Sequence, residues 1–181
     1  MMEDLSLHIL DLAENSIVAG AGWIRIAVNE NEARDLLTIR VSDNGHGMTA
    51  DEQKRALDPF YTTKHKKTGL GLALMAQAAA LTGGKLAVVS SPAEGTRVMA
   101  SFPYHHIDRP PLTKMAATIM TLVFGHPEID FRYRHRRNGQ AFTFASRRFF
   151  HWTGAGPAWS SERIESVRKA LREGLKRIGA S

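Results

Sequence analysis

Asp11 and Asn15 stand four residues apart in the stretch LDLAENSIVAGA (10–21). On a helix this spacing stacks a carboxylate and a carboxamide one turn apart on the same face. The carboxylate could take a proton from water or orient a hydroxyl. The Asn oxygen suits a hard cation such as Mg²⁺, which prefers oxygen donors and travels with phosphate. Asp4 and His8 fall on the same stripe, all four within about 60° of one another and opposite Leu5, Ile9, Leu12, Ala13 and Ile17. A hydrated stripe on an amphipathic surface helix explains the same pattern, and for this helix alone it is the stronger explanation. Glu14 falls outside the stripe and reads as a helix-edge group.

Other stretches carry chemistry of their own. In SDNGHGM (42–48), Gly45 and Gly47 let the backbone turn tightly and approach a flat ligand, and Asp43 can accept from an exocyclic amino group such as that of adenine. Asn44-Gly45 is equally a plain turn signal. KTGLGLAL (67–74) places Gly69 and Gly71 at a helix start, directly after the cationic KHKK. Free N–H groups, the positive end of the helix dipole and Lys64, Lys66 and Lys67 together form a phosphate cradle, although a lone Gly-x-Gly before a helix is weak evidence. EGTRVMASFP (94–103) opens a strand with Gly95-Thr96, ordinary strand chemistry unless a ligand lies beside it.

The elements that must position these groups follow from periodicity. A helix is expected over 3–18, stopped by AGA at 19–21. Strands at 23–28 and 36–41 form an antiparallel pair. A short helix over 49–57 is capped by Thr49 or Asp51, and 58–69 reads as a long loop. An Ala/Leu-rich helix over 70–84 ends at a Gly pair, and strands at 85–90 and 96–102 follow. The economical arrangement is an α/β fold, a two-layer sandwich with a mixed sheet. This unit covers 1–104, a proline-rich linker covers 105–113, and a basic extension of helix, β-hairpin and helix covers 114–181. In the extension, Asn138-Gly139 is a strong hairpin cue, and Ser160 caps a last helix running to about 178.

The chain has 181 residues, 43% apolar and 23% charged, with no cysteine. It therefore has no disulfide framework and no thiolate metal site. No apolar run approaches the roughly 20 residues that span a bilayer, so membrane insertion is not expected and the cytoplasm is the default location. The net charge of +6 is uneven: 1–108 sums to −3 and 109–181 to +9. On the expected hairpin, Arg132, Arg134 and Arg136 project from one face and Phe131, Tyr133 and His135 from the other. Phosphate contacts with base stacking are one reading of this alternation. A half-buried hairpin with aromatics in the core accounts for it more simply.

In order and spacing, the four stretches together resemble the ATP-binding domain shared by DNA gyrase, heat-shock chaperone ATPases, sensor histidine kinases and MutL-type mismatch-repair ATPases. This is the GHKL superfamily with the Bergerat fold. LDLAENSIVAGA resembles the N box, closest to the MutL-type wording, and DNGHGM resembles the first Gly box. DPFYTTK…KTGLGLAL is similar to the F box, lid and second Gly box of a histidine kinase, and EGTRVMASFP to its terminal strand. The resemblance spans roughly residues 3–103 and implies ATP and Mg²⁺ as cofactors. Carried over by position, Asn15 would hold the metal, and Asp43 would bind the adenine amino group with support from Thr96. Gly45, Gly47 and Met48 would lie beside the nucleotide, as would Phe60, Lys64, Lys67 and Thr68 around the lid. Gly69, Leu70, Gly71 and Leu72 would open the phosphate-facing helix. Asp11 occupies the position where hydrolysing and serine-kinase members carry a Glu base and histidine kinases usually carry Asn. The carboxylate, one methylene shorter than Glu, leans toward activation of water or a hydroxyl.

A sensor kinase carries its phosphoacceptor His on a helical hairpin upstream, whereas here the ATP domain begins at residue 1 and His8 lies inside the N box. Self-phosphorylation of that type is not expected. Residues 104–181 are too few for the complete transducer domain of gyrase and MutL. The leading expectation is an ATP–Mg²⁺ protein that phosphorylates, or is switched by, a separate protein partner, a pairing of features also expected of anti-sigma-factor serine kinases. The alternatives are an ATP-dependent conformational switch without kinase activity and a nucleic-acid-binding ATPase using the basic tail. Association of two copies is left open.

Overall fold

The first helix, α1 (Leu5–Val18), begins where Asp4 caps it. In the computed structural model, which describes residues 4–56, 70–150 and 160–180, Asp4 Oδ1 accepts from the Ser6 N–H at 2.9 Å and the Ser6 hydroxyl at 2.6 Å. Its Oδ2 accepts from the N–H and hydroxyl of Thr113, at 3.0 and 2.6 Å. The Leu5 N–H donates to the Pro111 carbonyl at 2.8 Å, so the proline-rich stretch is tied to the helix start. Burial alone would raise the Asp4 pKa, but the Ser6 and Thr113 donors outweigh it and hold the carboxyl below its ordinary value. The expected polar stripe therefore divides. Asp4 and His8 are buried, and Asp11 and Asn15 alone of the four reach solvent.

The strands are β1 (Trp23–Asn31), β2 (Leu36–Asp43), β3 (Lys85–Ser91), β4 (Gly95–Pro103), β5 (Asp130–Arg137) and β6 (Gln140–Ala145). They form one sheet in the order β3-β4-β2-β1-β5-β6. Every pairing is antiparallel except β1 with β5, which is parallel and makes the sheet mixed. Asn138 and Gly139 both take positive φ, 47° and 89°, as a two-residue hairpin turn demands. The other helices are α2 (Ala50–Ala56), α3 (Leu70–Leu81), α4 (Met115–Gly125) and α5 (Ser161–Arg177). Thr49 and Glu52 form a reciprocal capping box at α2. Ser160 accepts from the Arg163 N–H at α5. No helix among the described residues is long and apolar enough to cross a membrane.

Alternation assigns each strand one buried face. Ile24, Ile26 and Val28 of β1 are buried beside Val41 and Ile39 of β2 and beside Phe131, Tyr133 and His135 of β5. This face packs on α1, α3, α4 and α5 in a single apolar core. The other face, bearing Arg132, Arg134 and Arg136, is open to solvent. The result is a two-layer α/β sandwich.

A buried polar chain fastens the β1–β5 joint. Glu30 Oε1 lies 2.6 Å from His135 Nε2, and His135 Nδ1 lies 2.6 Å from the Tyr133 hydroxyl. A carboxylate only accepts, so Nε2 donates to Glu30, and Nδ1 shares the second hydrogen bond with the Tyr133 hydroxyl. Burial opposes ionisation of Glu30, but the His135 hydrogen bond and the charges of His135 and Arg137 pull its pKa below the usual value. Burial, then the Glu30 charge, pushes Tyr133 well above its own. His135→Ala leaves both groups without this partner and is expected to cost about 2–5 kcal/mol in urea unfolding. A group with a depressed folded pKa stabilises above its unfolded pKa and loses that contribution as pH falls through the folded value. The Glu30 contribution is accordingly in force at neutral pH and fades below the ordinary Glu range.

Candidate functional site

The alternation that buries Leu37, Ile39 and Val41 in β2 also turns the last residue, Asp43, inward, where it is 6% exposed. Its Oδ2 accepts from the Ser16 hydroxyl of α1 at 2.6 Å. Its Oδ1 accepts from the Gly45 N–H at 2.9 Å and the Thr96 N–H at 3.2 Å. A carboxylate offers about four lone-pair sites. Three donors from three parts of the chain occupy three of them, so one acceptor site on Oδ2 is left. Whatever meets it must present an N–H or O–H.

Close backbone approach holds this arrangement together. Gly47 has φ +71°, and a Cβ there would lie 1.9 Å from the Ser91 carbonyl oxygen. A Cβ on Gly95, at the start of β4, would lie 2.1 Å from the Asp43 carbonyl oxygen. Hydrogen in place of Cβ lets β4 come near enough for the Thr96 N–H to reach Asp43. The Met48 N–H donates to the Ser90 hydroxyl at 2.8 Å, and the Gln53 amide donates to the Ser90 carbonyl at 2.8 Å. The Ser90 hydroxyl also lies 2.9 Å from that of Thr96. The turn after β2 is thereby locked onto the β3–β4 hairpin.

Asp11 and Asn15 lie on α1 beside the start of α3. A Cβ on Gly71 would come within 2.4 Å of the Asp11 Cβ. The first turn of α3 thus abuts Asp11, which is exposed, while Asn15, one turn on, is half-buried. Leu72 lies in the core. Phe60, Lys64, Lys67, Thr68 and Gly69 lie outside the described residues, and Leu70 opens α3. Glu14 leaves the group, its carboxylate 4.0 Å from His126 Nε2. His8 is buried, and its Nδ1 has no hydrogen-bond partner among the described residues. Asn44 serves structure, its side-chain oxygen accepting from the Gly22 and Trp23 N–H groups at 2.9 and 2.8 Å.

The structure thus brings α1, the end of β2, the turn after it, the start of β4 and the first turn of α3 together. Sequence reasoning missed Ser16, Ser90 and Gln53. Ser16 directly follows Asn15, and that adjacency was the available signal. Ser90 and Gln53 offered none, because their partners are set by tertiary packing.

Residues 3–106 match the family model described as Histidine kinase-, DNA gyrase B-, and HSP90-like ATPase. That stretch is more than half of the chain, and the chain belongs to this family. The sensor-type histidine kinase PrrB of Mycobacterium leprae (strain TN) is 37% identical over 97 residues, 50% of this chain and 22% of that protein. The chain spans 10–22% of the length of the first curated relatives it matches. Among solved structures, the N-terminal domain of a DNA repair protein is similar with a TM-score of 0.60 at 18% identity, covering 91% of this chain and 56% of that one. The Aquifex aeolicus MutL ATPase domain complexed with ADP gives 0.55 at 18%, covering 93% and 70%. The likeness of fold in these two extends well beyond residue 106.

Proposed function

We propose that this chain binds Mg·ATP between α1, the end of β2, β4 and α3, and that it is a kinase-like ATP protein of the cytoplasm that phosphorylates, or is switched by, a separate protein partner in signal transduction. The observation that carries this reading is Asp43, in a chain of this ATPase family. A buried carboxylate held by three donors with one acceptor site open fits the 6-amino group of adenine, which donates, whereas a guanine in the same pose would turn its O6, which only accepts, to the carboxylate. Asn15 would hold Mg²⁺ through its carboxamide oxygen. Among the described residues no group of three or more His, Cys, Asp or Glu could hold a metal, which accords with an ion that takes one or two protein oxygens and the rest from phosphate. Bound there, Mg²⁺ supplies neutralisation of phosphate charge. Asp11, against Gly71, would take the proton of the attacking water or hydroxyl. Membership of a family that includes sensor kinases supports the kinase-like reading.

Thermal unfolding of the nucleotide-free protein tests the binding. Mg·ATP at about 100 times its dissociation constant is expected to add roughly 2.7 kcal/mol, or about 5–10 °C in Tm for a chain of this size. Mg·GTP at the same concentration is expected to give a smaller shift. An unchanged Tm with Mg·ATP overturns the proposal.

A further inference from the structure

The sheet face turned away from the helices carries cations in register. Strand pairing sets Arg97, Arg25 and Arg132 in one transverse row, Arg40 and Arg134 in the next, and Lys85 and Arg136 in a third. All seven are exposed. Short residues such as Ser42, Ala27, Thr38 and Asn29 stand between them, so the long cationic side chains project. Among the described residues, only Arg132 of the seven has a carboxylate within salt-bridge distance, Asp130 at 3.2 Å. Six cations of one sign therefore face solvent with no interleaved acid.

Such a field repels itself and has to be explained by what it meets. An ordinary solvated face mixes both signs. Six of the seven cations are Arg, whose planar fork pairs bidentately with phosphate. Alternate residues along β5 lie about 6.7 Å apart and neighbouring strands about 4.8 Å apart, so β5 carries three cations in line and the other four are spread across β1, β2, β3 and β4. Duplex DNA presents one negative charge per roughly 1.7 Å of axis, a continuous run of phosphates for cations spread over five strands. Trp23 is the aromatic on this face among the described strand residues, and Arg25 covers its ring at 4.3 Å. No stacking platform for unpaired bases is offered.

We propose that this open sheet face docks the phosphodiester backbone of duplex DNA without reading base sequence. The proposal goes beyond nucleotide binding and is tested on nucleotide-free protein. Fluorescence anisotropy of the full chain with a labelled 30-base-pair duplex of arbitrary sequence, at 50 to 200 mM salt, reads it directly. Six phosphate contacts are expected to give a log–log salt slope of about −5 and a loss of affinity of about a thousandfold over that range. The triple variant Arg25→Gln, Arg134→Gln, Arg136→Gln is expected to reduce the slope by about 2.7, whereas the corresponding Lys variant keeps it. Both variants are first checked for an unchanged melting profile; if the Gln triple is unfolded, the single variant Arg134→Gln is read for a slope change of about 0.9. No binding at 50 mM salt, or an unaltered slope in the folded Gln variant, overturns the proposal. So does capture of labelled polyglutamate in place of the duplex, which assigns the face to an acidic protein.

Discussion

Asp11→Asn is expected to lower turnover of ATP by about 10²–10⁴-fold, the usual contribution of a general base, while nucleotide affinity stays within about twofold. The two side chains have the same shape, so the tight contact between Asp11 and Gly71 and the packing of α3 on α1 survive. The side chain loses its negative charge and with it the capacity to take a proton. Tracing γ-labelled phosphate in cell extract, with wild type and Asp11→Asn side by side, measures the effect and follows the label to a protein side chain or to water. A labelled protein band that requires Asp11 identifies the partner and a kinase. Label released to water identifies an ATPase. Equal turnover in both forms removes Asp11 from the mechanism.

Asp43→Asn is expected to weaken ATP binding by about 10- to 150-fold, the loss of a charge-assisted hydrogen bond of roughly 1.5–3 kcal/mol. The fold can accept the change. The Asn oxygen can keep the Gly45 and Thr96 N–H groups, and its amide can donate to Ser16, whose hydroxyl then turns to the Leu12 carbonyl 3.2 Å away. What alters is the open position, where an N–H replaces a lone pair and meets the adenine amino group donor to donor. The same N–H can donate to an O6 acceptor, so the ratio of ATP to GTP affinity is expected to fall further than ATP affinity predicts. Calorimetric titration with both nucleotides checks this. An unaltered ratio places the base somewhere other than at Asp43.

The groups that were legible in the sequence are those whose meaning is local. Asn138-Gly139 specifies its turn through two residues, the alternating strands declare their buried face, and Gly47 and Asp43 sit together in one short turn. What was not legible depends on distant partners. Asp4 appeared to belong to a polar stripe because a helical wheel cannot show Thr113, 109 positions away, closing over it. Ser16 is an unremarked hydroxyl until Asp43, 27 positions on, is set against it. The charge break near residue 109 is real as composition, but strand pairing crosses it. Nothing in the hairpin's own pattern shows that β5 lies parallel to β1.

That parallel joint bears on which strand edge the sheet exposes. The stretch that matches the family, 3–106, contains β1 but not β5. A chain ending there would present β1 as an edge strand nine residues long, with its N–H and C=O groups unpaired beside Ile24, Ile26 and Val28, a template for accretion of other copies. The basic segment fills that edge and leaves β6, six residues long, as the outermost strand. Short outer strands resist such pairing, and residues 130–145 thereby cover the β1 edge of this chain's sheet.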